Sequence, residues 1–175
     1  MIRSTRALAA IVASAAISRA ATGQQVGRSA VDSCLPTSEF RLQRVVLADQ
    51  GKHALSQLGR PTRMKVDSGE DDGGRYRFQT YYYSGLELDI VRGVVDRVAS
   101  RAPSVATPSG LHSGLTFEAA RQLLLAKGVI LPARADTVDI GSCTAPDGTL
   151  LDGYVTLVFD AARRIQTIAL VAARP

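Results

Sequence analysis

Residues 75–98 read "RYRFQTYYYSGLELDIVRGVVDRV", and the pairing of the strands in this stretch decides the fold. Four of the five tyrosines of the chain lie within eight residues here, although only 5% of the sequence is aromatic. Ser84-Gly85 and Arg92-Gly93 are turn dipeptides that divide the stretch into three short runs of alternating character. The pattern therefore predicts an antiparallel meander of three strands.

The length of the loop at Ser84-Gly85 decides which tyrosines face the core. A two-residue turn pairs Tyr83 with Leu86 and directs Tyr81 and Tyr83 inward, whereas a three-residue loop pairs Tyr82 with Leu86. We favour the three-residue loop, because it also keeps the two arginines that begin the stretch out of the core.

Under that register one face of the meander combines tyrosines, arginines and acids. Tyrosine and arginine are enriched in protein-binding hot spots, which suggests a binding surface. Aromatic residues favour strands in any case, and cross-strand Arg–Glu pairs are common, so an ordinary sheet surface is the alternative. The predicted protein-binding residues are Arg75, Arg77, Tyr81, Tyr83, Glu87 and Asp89.

Beyond this stretch, the chain is similar to itself at an offset of 69 residues. "ADQGKHALSQLG" (48–59) falls on "FEAARQLLLAKG" (117–128), and "LELDI" (86–90) falls on "VTLVF" (155–159). Each copy has a helical apolar stripe followed by alternating runs. We therefore predict an α+β fold of two tandem helix-plus-antiparallel-meander repeats, with the helices packed on one face of a sheet and the other face open. The predicted boundaries are repeat 1 at 41–101, a linker at 102–113 and repeat 2 at 114–175, the repeats forming one compact domain.

The repeat unit has the pattern helix, Leu-Gly-x-Pro, strand, aromatic strand, Gly-Leu-x-Leu, Gly-x-Val-x-x-Val. It resembles the repeat of β-lactamase inhibitory protein, and is similar to the SmpA/OmlA-type envelope proteins of the outer-membrane barrel assembly machinery. The second copy lacks the Leu-Gly-x-Pro ending. The resemblance implies a non-enzymatic protein that binds another protein. The residues that carry it in the first copy are Leu58, Gly59, Pro61, Tyr81, Tyr82, Tyr83, Gly85, Leu86, Leu88, Gly93, Val95 and Val98.

The N-terminus reads as a secretory signal peptide at residues 1–20. Arg3 and Arg6 precede an alanine-rich apolar run, and small residues follow, with cleavage expected after Ala20 and possible after Ala16 or Ala21. The run is shorter than the ~20 residues of a membrane-spanning helix, so no transmembrane segment is predicted. Removing three arginines lowers the formal charge from +5 to +2. With no basic run left, nucleic-acid binding is not expected. Residues 21–40 are predicted to form an extended arm.

Cys34 and Cys143 are the two cysteines of the chain. An even pair in an exported protein predicts a disulfide bond. The alternative is a lipid on Cys34, although Asp32 does not suit the cleavage box of a lipoprotein.

Catalytic and metal-binding patterns are weak. His53 and His112 are far apart, and the two cysteines are predicted to form a disulfide, so no ligand set for zinc remains. "SGLHSG" (109–114) lacks the nucleophile elbow of a serine hydrolase. "DSGEDDGG" (67–74) departs from the calcium-loop pattern, and nothing in the sequence suggests a cleft with sugar-stacking aromatics around Glu87 and Asp89. We predict no cofactor, no metal and no catalytic residue.

The sequence therefore predicts a periplasmic or secreted, non-enzymatic module of the bacterial cell envelope that binds a partner protein through an open sheet face. The alternatives are a small periplasmic hydrolase with an unrecognised site and a purely structural envelope protein.

Overall fold

The computed structural model describes residues 28–30, 33–71, 74–144, 148 and 151–173. Within them the chain forms ten strands, two α-helices and one 3-10 helix at Thr37–Glu39. The helices are α1 (Gly51–Leu58) and α2 (Phe117–Leu125). The strands are β1 (Arg28–Ala30), β2 (Arg41–Leu42), β3 (Val45–Val46), β4 (Arg63–Asp71), β5 (Gly74–Tyr83), β6 (Leu86–Val91), β7 (Val94–Ser100), β8 (Thr137–Gly141), β9 (Gly153–Phe159) and β10 (Ile165–Ala172).

Eight of these strands form one sheet in the order β1-β8-β9-β10-β7-β6-β5-β4, and β2 and β3 form a separate small hairpin. The strands from β4 to β7 and from β8 to β10 pair antiparallel, and β1 adds to β8 in parallel. The two halves join where β7 pairs with β10, with Val98 opposite Leu170 and Ala99 opposite Ala169. One continuous sheet therefore contains the strands that follow α1 and the strands that follow α2.

Thr116 and Gly59 each mark one end of a helix. The Thr116 side chain accepts a hydrogen bond from the Ala119 N–H and caps α2, which offsets an unsatisfied donor of the first turn. Gly59, with φ of 74°, ends α1. Both helices contribute side chains to the same core cluster as the sheet, including Ala54 of α1 and Leu124 of α2. The apolar faces of both helices thus lie on one side of the sheet.

The prediction of an α+β fold of two tandem helix-plus-meander repeats was wrong. The described part of the chain is predominantly β, with two α-helices of only 8 and 9 residues beside one eight-stranded sheet. Four strands follow α1 but three follow α2, and the other edge of the sheet comes from β1 instead. The similarity at the 69-residue offset reflects the period-two alternation that buried antiparallel strands share, and such alternation does not require a repeated unit.

The predicted three-residue loop between β5 and β6 was also wrong. Tyr83 pairs with Leu86 and Tyr81 with Leu88, so Ser84-Gly85 is a two-residue turn. Gly85 has φ of 79°, and a Cβ there would overlap Ala102, so this tight turn requires glycine. Our reason for the longer loop does not apply, because β5 extends past the last residue of β6 that pairs with it.

That projecting end of β5 explains how arginines occur on the core side. Pairing with β6 stops at Phe78 opposite Val91, and residues 74–77 pair with β4 alone. Arg75 and Arg77 belong to this projecting end and are exposed. Nearer the turn, Tyr81 and Tyr83 are half-buried and pack against the core cluster. One face of β5 therefore changes from solvated to buried along its length.

The predicted disulfide is confirmed. Cys34 and Cys143 are bonded, with 4.9 Å between their Cα atoms and a sequence separation of 109 residues. Leu35 lies beside them, fully buried, and its N–H donates to the Gly141 carbonyl at 2.9 Å. Its carbonyl accepts from the Cys143 N–H at 2.7 Å. A lipid thioether on Cys34 is incompatible with this bond, because both reactions use the same sulfur.

Removing the disulfide tests how far this edge of the sheet depends on it. We expect the double variant Cys34→Ser/Cys143→Ser to lose about 2–5 kcal/mol of unfolding free energy, since the long loop closed by the bond no longer restricts the unfolded chain. Denaturant unfolding with and without reductant measures this loss. Reductant should lower the wild type to the stability of the variant and leave the variant unchanged; a variant as stable as the oxidised wild type would contradict the expectation.

The register of β5 is tested by comparing adjacent tyrosines. Tyr81→Ala should cost about 2–3 kcal/mol, because Tyr81 packs against Leu88 on the core side. Tyr82→Ala should cost about 1 kcal/mol, because Tyr82 faces the other way and loses mainly its contact with Arg63. Chemical denaturation of both variants gives the comparison. The reverse order of stability losses would indicate the three-residue loop.

Candidate protein-binding face

The face of the sheet opposite the helices is the candidate site, and we call it the open face. Strand pairing arranges its side chains in rows that cross seven strands, since directly opposed residues share a face. The first row is Arg63, Tyr82, Glu87, Ala99, Ala169, Thr156 and Asp139, and the second is Lys65, Thr80, Asp89, Arg97, Val171, Tyr154 and Gly141.

Alternation along the strands explains why these residues share a face. In β6, buried Leu86, Leu88 and Ile90 alternate with half-buried Glu87 and Asp89. The core cluster contains no member of either row; the strand residues that it does contain all point to the helix side. The apolar parts of both helices are thus used on the other side, and the open face is left with mostly polar and small side chains.

Arg97 is the central charge of the open face. Its Nη1 lies 2.5 Å from Oε1 of Glu87 and 3.3 Å from Oδ2 of Asp89. Burial disfavours the Arg97 cation, but the hydrogen bonds and charges of the two carboxylates outweigh burial and raise the pKa of Arg97. The guanidinium is therefore held in place, in a geometry that reduces the entropy lost when a partner binds.

A third acidic side chain enters the same neighbourhood through an irregularity in β7. The β6–β7 register shifts after Asp89, and the extra residue is Asp96. Burial, together with the charge of Asp89, raises the pKa of Asp96 to about 6, and Arg97 opposes this shift only in part. Asp89 Oδ1 is itself buried and has no hydrogen-bond partner among the described residues. Three carboxylates therefore lie close to Arg97.

The middle of the open face is low and its flanks are high. Ala99, Ala169 and Thr156 are buried small residues at the floor. Tyr82 stands on one flank with the Arg63 guanidinium 4.0 Å from its ring centre, and Tyr154 stands on the other, 43% exposed. A shallow cleft of about 260 Å³ opens beside Tyr82. Its lining combines Tyr82, Glu87, Arg97, Ala99, Arg101 and Thr167 with Tyr83, Gly85, Leu86 and Ser100 near the β5–β6 turn.

The six predicted binding residues do not form one patch. Glu87 and Asp89 lie on the open face, as predicted, and hold Arg97. The other four are on the helix side: Tyr81 and Tyr83 against the core, with Tyr83 Oη donating to the Gly59 carbonyl at 3.4 Å, and Arg75 and Arg77 on the projecting hairpin. Burial, with the nearby Tyr81, raises the pKa of Tyr83. The sheet separates the two groups.

Three residues of the open face were missed by the sequence reasoning. Tyr82 was assigned to the core because of the incorrect register, although the alternative two-residue turn places it beside Glu87. Arg97 lies two residues after Val95 in the run "VVDRV". Simple alternation along this run does not predict that Arg97 lies opposite Asp89. Tyr154 is the tyrosine outside the opening stretch. Only the order of the strands in the sheet shows that it lies on the open face.

The described residues hold neither a cluster of metal ligands nor a membrane-spanning helix. Within them no group of three or more His, Cys, Asp or Glu side chains is arranged to hold a metal ion. In the same part of the chain, neither helix has the length and apolarity needed to cross a membrane. Residues 1–20 lie outside the described residues, so the signal peptide stays a prediction.

Comparison with known proteins identifies no family. No family model matches the chain, and no curated protein matches it either. Among solved structures, an extracellular protein containing an SCP domain from Bacillus anthracis matches with a TM-score of 0.47 and 11% identity, over 72% of this chain and 44% of that one. A cysteine-rich secretory protein from Staphylococcus aureus matches with a TM-score of 0.46 and 10% identity, over 81% and 50%. The chain spans about half the length of these proteins.

The resemblance to β-lactamase inhibitory protein and to the SmpA/OmlA envelope proteins was wrong. No family model matches the chain, and the two halves of the sheet are built differently, so the repeat unit on which the resemblance rested is absent from the described residues. The motif had relied on short runs of leucine, glycine and valine that alternating strands and tight turns produce by themselves. The disulfide remains as evidence for an oxidising compartment, and it agrees with a secreted chain.

The raised pKa of Asp96 predicts a pH dependence of stability. Its ordinary value is 3.8 and its folded value is about 6, so the folded state binds the proton more tightly and loses stability as pH rises through this range. Asp96→Asn removes the titration. Between pH 4 and pH 8 the unfolding free energy of the variant should rise by about 1–2 kcal/mol relative to that of wild type. This is less than the full pKa shift implies, because Asp96 is partly exposed.

Denaturant unfolding of both proteins at several pH values measures this gain. The exposed carboxylate variant Asp136→Asn, which changes the net charge equally, is the control. A difference between Asp96→Asn and wild type that stays constant from pH 4 to pH 8 would contradict the assignment.

Proposed function

We propose that this chain is an exported protein-binding module whose partner binds the open face around Tyr82, Glu87 and Arg97. The observation that carries the proposal is the Arg97 bridge between Glu87 and Asp89 at the side of an uncovered aromatic cleft. Tyrosine and arginine are the residue types on which binding energy concentrates in protein interfaces. Here both are fixed before binding, Arg97 by two carboxylates and Tyr82 by Arg63.

The shape of the cleft favours a protein partner over a small molecule. Its volume of about 260 Å³ lies below the ~300–1,000 Å³ typical of small-molecule sites. The small residues Ala99, Ala169 and Thr156 leave a trough between the aromatic flanks. A side chain from a protein surface fits such a trough, whereas a free ligand there would stay largely exposed to water.

The rim of the face supports the same proposal. At one end of the rows Lys65 forms an ion pair with Asp67, and at the other end Asp139 Oδ1 accepts a hydrogen bond from Thr156 Oγ1 at 2.6 Å. Interfaces commonly surround a packed centre with such polar groups. The proposal includes no catalytic step, and the absence of enzymatic activity stays a prediction.

Capture experiments with variants of the two faces test this proposal. Tyr82→Ala/Thr167→Arg removes the aromatic flank and fills the cleft with a long charged side chain, while leaving the Arg97 bridge intact. Arg75→Ala/Arg77→Ala is the control, since it removes two exposed arginines from the other side of the sheet. We expect the oxidised wild type and the control to retain the same protein from envelope and secreted fractions, and the open-face variant to lose at least about tenfold in affinity, as expected for loss of a hot spot.

The folding of each variant is checked by circular dichroism and thermal unfolding before capture. The proposal requires that the retained protein, once purified, binds wild type in a direct titration. Equal binding by the open-face variant, or loss of binding only in the arginine control, would rule out this face.

A further inference from the structure

We propose that β4 is a self-association edge, through which two copies of the chain join their sheets in antiparallel register about Val66. This inference is independent of the proposed partner on the open face. Strand β4 is the last strand of the sheet and has nine residues. Within the described residues only β5 pairs with it. Along its outer edge, alternate backbone N–H and C=O groups are available to another strand.

Charges on an edge strand usually prevent such pairing, so their order matters here. A twofold axis perpendicular to the sheet brings each residue opposite one on the same face of the second copy. When the axis passes at Val66, Lys65 of each copy lies opposite Asp67 of the other, and Val66 lies opposite Val66. Unlike charges and apolar residues are thus directly opposed, which stabilises strand pairs.

The two neighbouring registers are disfavoured. An axis at residue 65 places Lys65 opposite Lys65, and an axis at residue 67 places Asp67 opposite Asp67; like charges directly opposed destabilise a pair. Shifts by a single residue between the copies would bring opposite faces of the two sheets together. Within one chain, Lys65 already pairs with Asp67, so both charges remain satisfied when they exchange partners across the axis.

The helix side of β4 carries the apolar component of the contact. Val66 is 42% exposed and Met64 is 51% exposed, and they are adjacent on this side of the strand. With the axis at Val66, the two Val66 side chains are in contact, and Met64 of each copy lies beside its own Val66. Met64 is also opposite Tyr81 on β5, so the contact formed by Val66 and Met64 is continuous with the apolar edge of each core. Self-pairing therefore removes from water the two large apolar side chains that β4 exposes.

A charge exchange tests the register. The oxidised protein should show a concentration-dependent monomer–dimer equilibrium in analytical ultracentrifugation. Lys65→Asp and Asp67→Lys should each weaken the dimer at least about tenfold, because each change occurs twice across the axis and opposes like charges. The double variant Lys65→Asp/Asp67→Lys reverses both charges and should restore the wild-type equilibrium.

A cysteine scan locates the axis. Both native cysteines are engaged in the disulfide, so a single added cysteine reports on its own contacts. Val66→Cys should form a disulfide-linked dimer on mild oxidation, since opposed Cβ atoms lie within reach of such a bond. Met64→Cys, whose counterpart in the second copy is Ser68, should give much less.

Three outcomes would overturn the proposal. A wild type that stays monomeric at all concentrations would show that the edge does not self-associate. A dimer unaffected by either charge change would lie elsewhere on the molecule. Equal cross-linking at positions 64 and 66 would exclude a single register. Circular dichroism of each variant separates loss of the dimer from loss of folding.

Discussion

The pairing of β7 with β10 is the contact on which the rest of the structure depends. It joins strands that come before and after the linker, and it makes one sheet where two smaller ones would each expose an edge. On the helix side of this junction Val98 is opposite Leu170, and both are fully buried. On the open side Ala99 is opposite Ala169. The same pairing therefore fills the core with large side chains and leaves a floor of small ones on the other face.

Sequence reasoning succeeded where the signal was local or chemical. The apolar stripes at 48–59 and 117–128 located the two helices, which lie at Gly51–Leu58 and Phe117–Leu125. The disulfide followed from an even cysteine pair in a chain predicted to be exported. Apolar periodicity and cysteine chemistry are both readable from the residue types themselves, so neither inference requires knowledge of which strands are neighbours.

The sequence did not reveal the sheet order or the candidate site, because both depend on contacts far apart in the chain. A one-residue difference in one loop moved Tyr82 from the expected core to the open face. The bulge in β7 changed which side chain meets Asp89, and alternation alone gives no sign of it. The apparent repeat failed for a related reason, because two stretches with the same alternation can occupy unequal places in one sheet.

The two edges of the sheet show how differently the chain treats its unpaired backbone. At the β1 edge the neighbouring segment is fixed by the disulfide and by the buried Leu35, which hydrogen-bonds to both Gly141 and Cys143. The β4 edge has no such constraint among the described residues, and it carries Met64 and Val66 in exposed positions. A twofold axis perpendicular to the sheet would place both open faces on the same side. One dimer would then present two Tyr82–Arg97 sites in a fixed relation, and a partner with two copies of its own binding surface would gain the effective-concentration advantage of bivalent contact.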